Sequence, residues 1–146
     1  MSTRIKIAKV DPAAYQAMGG MEKYLQSSRL SHVHKDLIKI RASQINGCAY
    51  CIDIHTRDAR QAGENEYRIY ALNAWRETPF FTPEERAILA LTEEITLIQH
   101  HVSDETYGQA AALFDEQYLS EIIMAIIIIN AWNRIGISTA MSPQAA

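Results

Sequence analysis

From residue 11 onward, apolar positions recur every three or four residues, the spacing of amphipathic helices. Asp11-Pro12 opens the first helix, because Asp caps and Pro suits the first helical position. Tyr15, Met18, Met21, Tyr24 and Leu25 follow on one face; Gly19-Gly20 weakens that helix without ending it, and Ser27-Ser28 reads as a loop. A second helix is predicted over 31–44, carrying Val33, Leu37, Ile38 and Ile40, and Ile45-Asn46-Gly47 forms a turn. A third runs over 48–62 and is stopped by Gly63; a fourth covers 64–75.

Residues 77–81 read as a linker. Thr82-Pro83-Glu84-Glu85 then combines an N-cap, a first-position proline and a capping-box glutamate. That helix carries Ala87, Ile88, Leu91, Ile95 and Ile98 and ends near His100-His101, which we assign to a helix end or the surface. Ser103-Asp104 starts a shorter helix to Phe114, and Asp115-Glu116 starts a long one towards Ile137. The run 122–129 is β-prone, but its helical surroundings decide, and a helix apolar all round sits in the core or against a second subunit. Before residue 11, Ile5, Ile7 and Val10 alternate loosely, as an arm or a short strand. The fold class is therefore all-α, one domain over residues 1–146.

Composition narrows the function more than the fold. With 146 residues, 48% apolar, 21% charged and a formal net charge of −3, the chain resembles an ordinary globular protein. It carries no basic footprint for nucleic acid or an anionic membrane. The N-terminus lacks a signal-peptide pattern, and 122–129 is far shorter than the roughly 20 residues of a spanning helix, so a cytoplasmic protein is expected.

The only two cysteines lie in Asn46-Gly47-Cys48-Ala49-Tyr50-Cys51-Ile52-Asp53-Ile54-His55. On a helix from about Gly47, Cys48, Cys51 and His55 share an arc of roughly 60°. Such a C-x-x-C is either half of a zinc site or a redox pair. Zinc needs a fourth ligand, for which His32, His34, His100 and His101 offer no signalling spacing. Two inert buried cysteines are the bland alternative. In the redox case a helix start lowers a thiol pKa, His55 takes the proton, and the second thiol closes a disulfide on a sulfenic acid. An imidazole base needs an orienting group. In a hairpin about Asn46-Gly47, Asp36 lies eight residues before Gln44 and His55 eight after Gly47, each about 12 Å from the turn, so the two are expected level. A solvated Asp near a helix start is the competing reading of Asp36.

The segment from Asp36 to Thr56, with Ala59-Arg60, Trp75-Arg76-Glu77-Thr78-Pro79-Phe80-Phe81, Glu84-Glu85-Arg86-Ala87 and Ile129-Asn130-Ala131-Trp132-Asn133-Arg134, resembles the alkylhydroperoxidase D-like (AhpD-like) core of the carboxymuconolactone decarboxylase superfamily. The resemblance implies an all-helical fold assembling as homotrimers or homohexamers, and a thiol-dependent peroxidase acting on organic hydroperoxides in antioxidant defence. On that pattern Cys51 becomes the sulfenic acid, Cys48 donates the proton and resolves, and His55 with Asp36 forms the proton relay. No cofactor is implied; electrons arrive from an external disulfide reductant, a lipoyl or thioredoxin-like protein. The chain departs from the pattern in carrying Asp36 where glutamate is common, and Tyr50 where a second histidine can precede the second cysteine. Those departures motivate the alternative of a thiol–disulfide adaptor or redox-sensing module. The superfamily's named decarboxylase lacks the cysteine pair, which points away from lactone decarboxylation. Tyr24, Trp75 and Trp132 are candidates for either a channel or the core, and Arg41 and Gln44 for orienting the hairpin.

Overall fold

The computed structural model describes residues 3–144. Its helices are α1 (Ile7–Val10), α2 (Pro12–Ser27), α3 (His32–Asn46), α4 (Ala49–Gln61), α5 (Glu66–Tyr70), α6 (Pro83–Thr96), α7 (Asp104–Leu113) and α8 (Glu116–Ser138), with 3-10 turns at Leu72–Glu77 and Ile98–His100. No strand occurs among the described residues.

Most helix starts are written as caps. The side chains of Asp11, Ser31, Asn65, Thr82, Ser103 and Asp115 each accept a first-turn backbone N–H, and Thr82 with Glu85 closes a full capping box. Each cap is worth about 1 kcal/mol.

Helix α3 lies at the centre, packed on α4, α6 and α8. Its Ile38 and Ala42 join Ile88 and Leu91 of α6 and Ile122, Ile126 and Ile129 of α8 in one buried cluster. Its Leu37 and Ile40 join Ala59 of α4, Leu72, Trp75 and Leu89 in the other. The isoleucine-rich helix is thus the core helix, and it turns a flank outward at Ile127, 44% exposed, beside Ile98 and Tyr107. Among the described residues α8 alone is long and apolar enough to cross a membrane, but 44% of its apolar window is buried inside the chain.

Two expectations change. The first strip forms one helical turn, Ile7–Val10, instead of an arm or strand. The expected helix over 64–75 breaks into α5 and the 3-10 turn, with Ala74 outside helical angles. Beyond the break, the Arg86 guanidinium donates to the carbonyls of Trp75, Arg76 and Thr78 at 3.2, 3.0 and 3.1 Å, fastening the end of this segment to α6. Trp75 is held on its other side by its Nε1–H donating to Glu93.

Candidate active site

The site grows from a helix-ending turn. Gly47 adopts the left-handed conformation (φ 70°), which lets its N–H reach the Gln44 carbonyl and the Cys48 N–H reach that of Ser43. This double bond pair closes α3 and reverses the chain into α4 without a longer loop. Cys48 falls on the cap of α4, not within it, and its Sγ accepts the Cys51 N–H at 3.4 Å. The two cysteines are joined as a disulfide, with Cα atoms 5.3 Å apart. Both are buried, at 2% and 5% exposure.

Helix α8 supplies the back wall. A Cβ on Gly136 would stand 3.1 Å from Cys48 Sγ and 3.6 Å from Cys51 Sγ, so this helix-interior glycine exists for close approach to the sulfurs. One turn earlier, buried Asn133 donates to Ser43 Oγ at 2.9 Å and accepts from Asn46 Nδ2 at 2.9 Å. Asn46 also donates to Asn130 Oδ1 at 2.9 Å, and Asn130 donates to Thr96 Oγ1 at 3.0 Å. The turn before Cys48 is therefore tied to α8 and α6 by a polar network with every member paired.

In front of the sulfurs lies a cavity of about 210 Å³ lined by Cys51 and His55 together with Tyr15, Glu22, Lys39, Tyr50, Ile54, Trp132 and Met141. Cys48 does not line it. Tyr15 meets Trp132 edge-on, with ring centroids 5.5 Å apart. Of the aromatic candidates, Trp132 reaches the cavity, while Trp75 is buried in the core and Tyr24 is exposed. Arg41 bonds Gln44 and Glu93, bracing the middle of α3 rather than touching the sulfurs. His100 and His101 are exposed. Among the described residues no group of three or more His, Cys, Asp or Glu side chains is arranged to hold a metal ion.

Asp36 does not line this cavity. No hydrogen bond joins it to His55, and the charges acting on it are those of His32, Lys39, Asp58 and Glu64. The reason is the position of the turn. Helix α3 runs on to Asn46 and α4 begins only at Ala49. Counted from those ends, Asp36 is about 15 Å deep and His55 about 9 Å, one helical turn apart. Burial raises the Asp36 carboxyl above its ordinary value, with His32 and Lys39 opposing. The carboxylate that does share the cavity with His55 is Glu22 of α2, in an ion pair with Lys39 of α3 at 2.7 Å. Periodicity places Glu22 on α2 but carries no signal for which way α2 packs, so spacing could not find it. Gly136 and Asn133, by contrast, are a glycine and a buried amide inside an apolar helix, and each interruption is a visible sign.

Burial, with the Lys39 cation second, pushes the His55 imidazole down to about 4, against Asp58 and Glu22. His55 is therefore neutral at pH 7 while the sulfurs are joined, and its ring can accept a hydrogen bond. Between its unfolded value near 6.5 and about 4, the unfolded chain takes up a proton that the fold refuses. Stability should accordingly fall as pH drops through that window and level off below it. Urea midpoints at stepped pH, compared between the wild type and His55→Gln, measure this, and the variant's profile should be flatter.

Beyond α8, Ala140 takes a positive φ of 54°, and its N–H and that of Met141 bond the carbonyls of Ile137 and Gly136. This helix-ending turn aims Met141 at the cavity. Alanine pays about 1–2 kcal/mol there, of which Ala140→Gly recovers part, the rest being offset by the freer unfolded chain. A gain of about 0.5 kcal/mol in chemical denaturation is expected.

The sequence pattern of the carboxymuconolactone decarboxylase family matches residues 12–94. An uncharacterized Bacillus subtilis protein, YdfG, is 47% identical over 100% of this chain and 99% of its own length. The crystal structure of an Agrobacterium tumefaciens protein of unknown function, described as a candidate antioxidant defence protein AhpD, superposes with a TM-score of 0.96 at 38% identity, covering 99% of this chain and 100% of that one. The debrominase Bmp8, crystallised with 2,3,4-tribromopyrrole, shares the fold with a TM-score of 0.85 at 22% identity over 94% of this chain and 74% of that one.

Proposed function

The chain belongs to the carboxymuconolactone decarboxylase family, with the AhpD-like all-α fold, and from that premise we propose that it is a thiol-dependent peroxidase that reduces organic hydroperoxides in antioxidant defence. The observation that carries this is the sidedness of the sulfurs: Cys51 and His55 line one cavity, and Cys48 lies behind it.

In the reduced enzyme the Lys39 ammonium favours the Cys51 thiolate, and His55 takes the thiol proton because the sulfur anion beside it stabilises the imidazolium. The thiolate attacks the outer peroxide oxygen. The O–O bond breaks, the alcohol leaves with a proton, and Cys51 becomes a sulfenic acid. Cys48, on the helix cap and already within bonding distance, displaces water and closes the disulfide seen here. An external dithiol, of the lipoyl or thioredoxin-like class, returns two electrons. Glu22 takes the carboxylate's place beside His55, holding Lys39; Asp36 acts one turn further along through Lys39, whose charge bears on both Asp36 and His55. The apolar flank at Ile98, Tyr107 and Ile127 supports assembly with further copies, in line with a homotrimer or homohexamer.

The alternative of a thiol–disulfide adaptor shares the exchange step with an external dithiol and differs in consuming no peroxide. Stopped-flow mixing of reduced protein with cumene hydroperoxide, followed by mass analysis, separates the two. One alcohol formed per Cys48–Cys51 disulfide supports the peroxidase; disulfide exchange without peroxide consumption supports the adaptor.

A further inference from the structure

A second chamber adjoins the reactive cavity. About 590 Å³ in volume, it lies between residues 4–8 of the N-terminal strip and the C-terminal end of α8, and Tyr15, Tyr50 and Met141 line both spaces. These three side chains form the boundary shared by the chamber and the space in front of Cys51. Together the two spaces fall in the range that encloses a whole organic ligand, about 300–1,000 Å³. A small peroxide needs only the inner one.

The chamber's lining has a definite chemistry. Ile5, Ile7, Ala8 and Ile135 make its body apolar, while Arg4 and Lys6 give it two cations and no acidic residue lines it. Arg4 donates to the carbonyls of Ile137 at 3.3 Å and Ser138 at 3.0 Å, so the strip is fastened to α8 and the wall is built. Lys6 makes no ion pair with any described residue. An apolar body, an unneutralised ammonium and a shared boundary with the cavity of Cys51 together suit a long molecule with three parts.

We propose that this chamber binds the chain of an anionic amphipathic hydroperoxide of the fatty-acid class, with its carboxylate at Lys6 and its peroxide at Cys51. The proposal rests on the peroxidase reading for its chemistry: the thiolate takes the outer oxygen, the O–O bond breaks, and a hydroxy fatty acid leaves. Binding itself does not depend on that chemistry. The apolar chain supplies affinity by leaving water, and the ammonium sets orientation.

The test uses two variants at exposed positions, Ala8→Trp to fill the chamber and Lys6→Glu to reverse its charge. Single-turnover oxidation of Cys51 is followed with linoleic acid hydroperoxide and with tert-butyl hydroperoxide. Equilibrium binding of linoleate, which cannot oxidise the site, is followed by calorimetry. Linoleate should bind the wild type, and each variant should weaken that binding about tenfold. The rate ratio of the large to the small hydroperoxide should drop by a similar factor. Absence of linoleate binding, or binding and rate ratios unmoved by both variants, overturns the proposal. Linoleate binding weakened by both variants with no reaction towards either hydroperoxide upholds the chamber and overturns the peroxidase reading instead. Loss confined to Ala8→Trp overturns the placement of the carboxylate at Lys6.

Discussion

Cys51→Ser will lower hydroperoxide consumption by about a thousandfold or more, the scale on which removal of a nucleophile is felt. A serine hydroxyl at this position stays protonated at neutral pH, and neither neutral His55 nor the Lys39 ammonium is strong enough to change that. Cys48→Ser should behave differently. The attacking sulfur remains, so one equivalent of peroxide is consumed in a burst and turnover then stops with Cys51 held as a sulfenic acid. A dimedone adduct on Cys51, found by mass spectrometry in Cys48→Ser and absent from Cys51→Ser, would fix the order of events. The reverse pattern, with the adduct on Cys48, would overturn it. The asymmetry follows from position: Cys51 lines the cavity, whereas Cys48 sits behind it against Gly136.

The largest stability effect away from the sulfurs is expected at Asn133. Its side chain is wholly buried and bonds Ser43 and Asn46, the residues that shape the turn into Cys48. Asn133→Leu keeps the volume and strands the Ser43 hydroxyl, while Asn46 retains its bond to Asn130. One lost partner in a connected buried network costs about 1–3 kcal/mol. For a chain of this size that corresponds to a Tm lower by about 5–10 °C, readable by calorimetry. Ser43→Ala in the same background should add far less than it does alone, because the interaction it removes is already gone.

Much of this was legible in the residues. Helix starts were the clearest, because Asp11-Pro12, Thr82-Pro83 and Asp115 act locally and no tertiary contact has to be known. The C-x-x-C and His55 were found for the same reason: all three lie on one short segment. Failures came where local spacing carries no sign. The expected helix over 64–75 breaks after Tyr70 into a 3-10 turn whose Trp75 is held by Glu93 of another helix. Asp36 was placed level with His55 by counting rise, but the count depended on helix ends two residues from the assumed ones. Glu22 was invisible, since its relation to His55 is set by how α2 lies across α3 and α4.

The disulfide spans the cap and third residue of a single helix. A cross-link stabilises chiefly by shrinking the disorder of the unfolded chain, and closing so short a loop removes little, about 2 kcal/mol against about 4.7 for a hundred-residue loop. The turn and its network hold the segment in place whether or not the sulfurs are joined. Oxidation and reduction can therefore alternate on a scaffold that does not depend on either state, as the proposed peroxidase cycle requires.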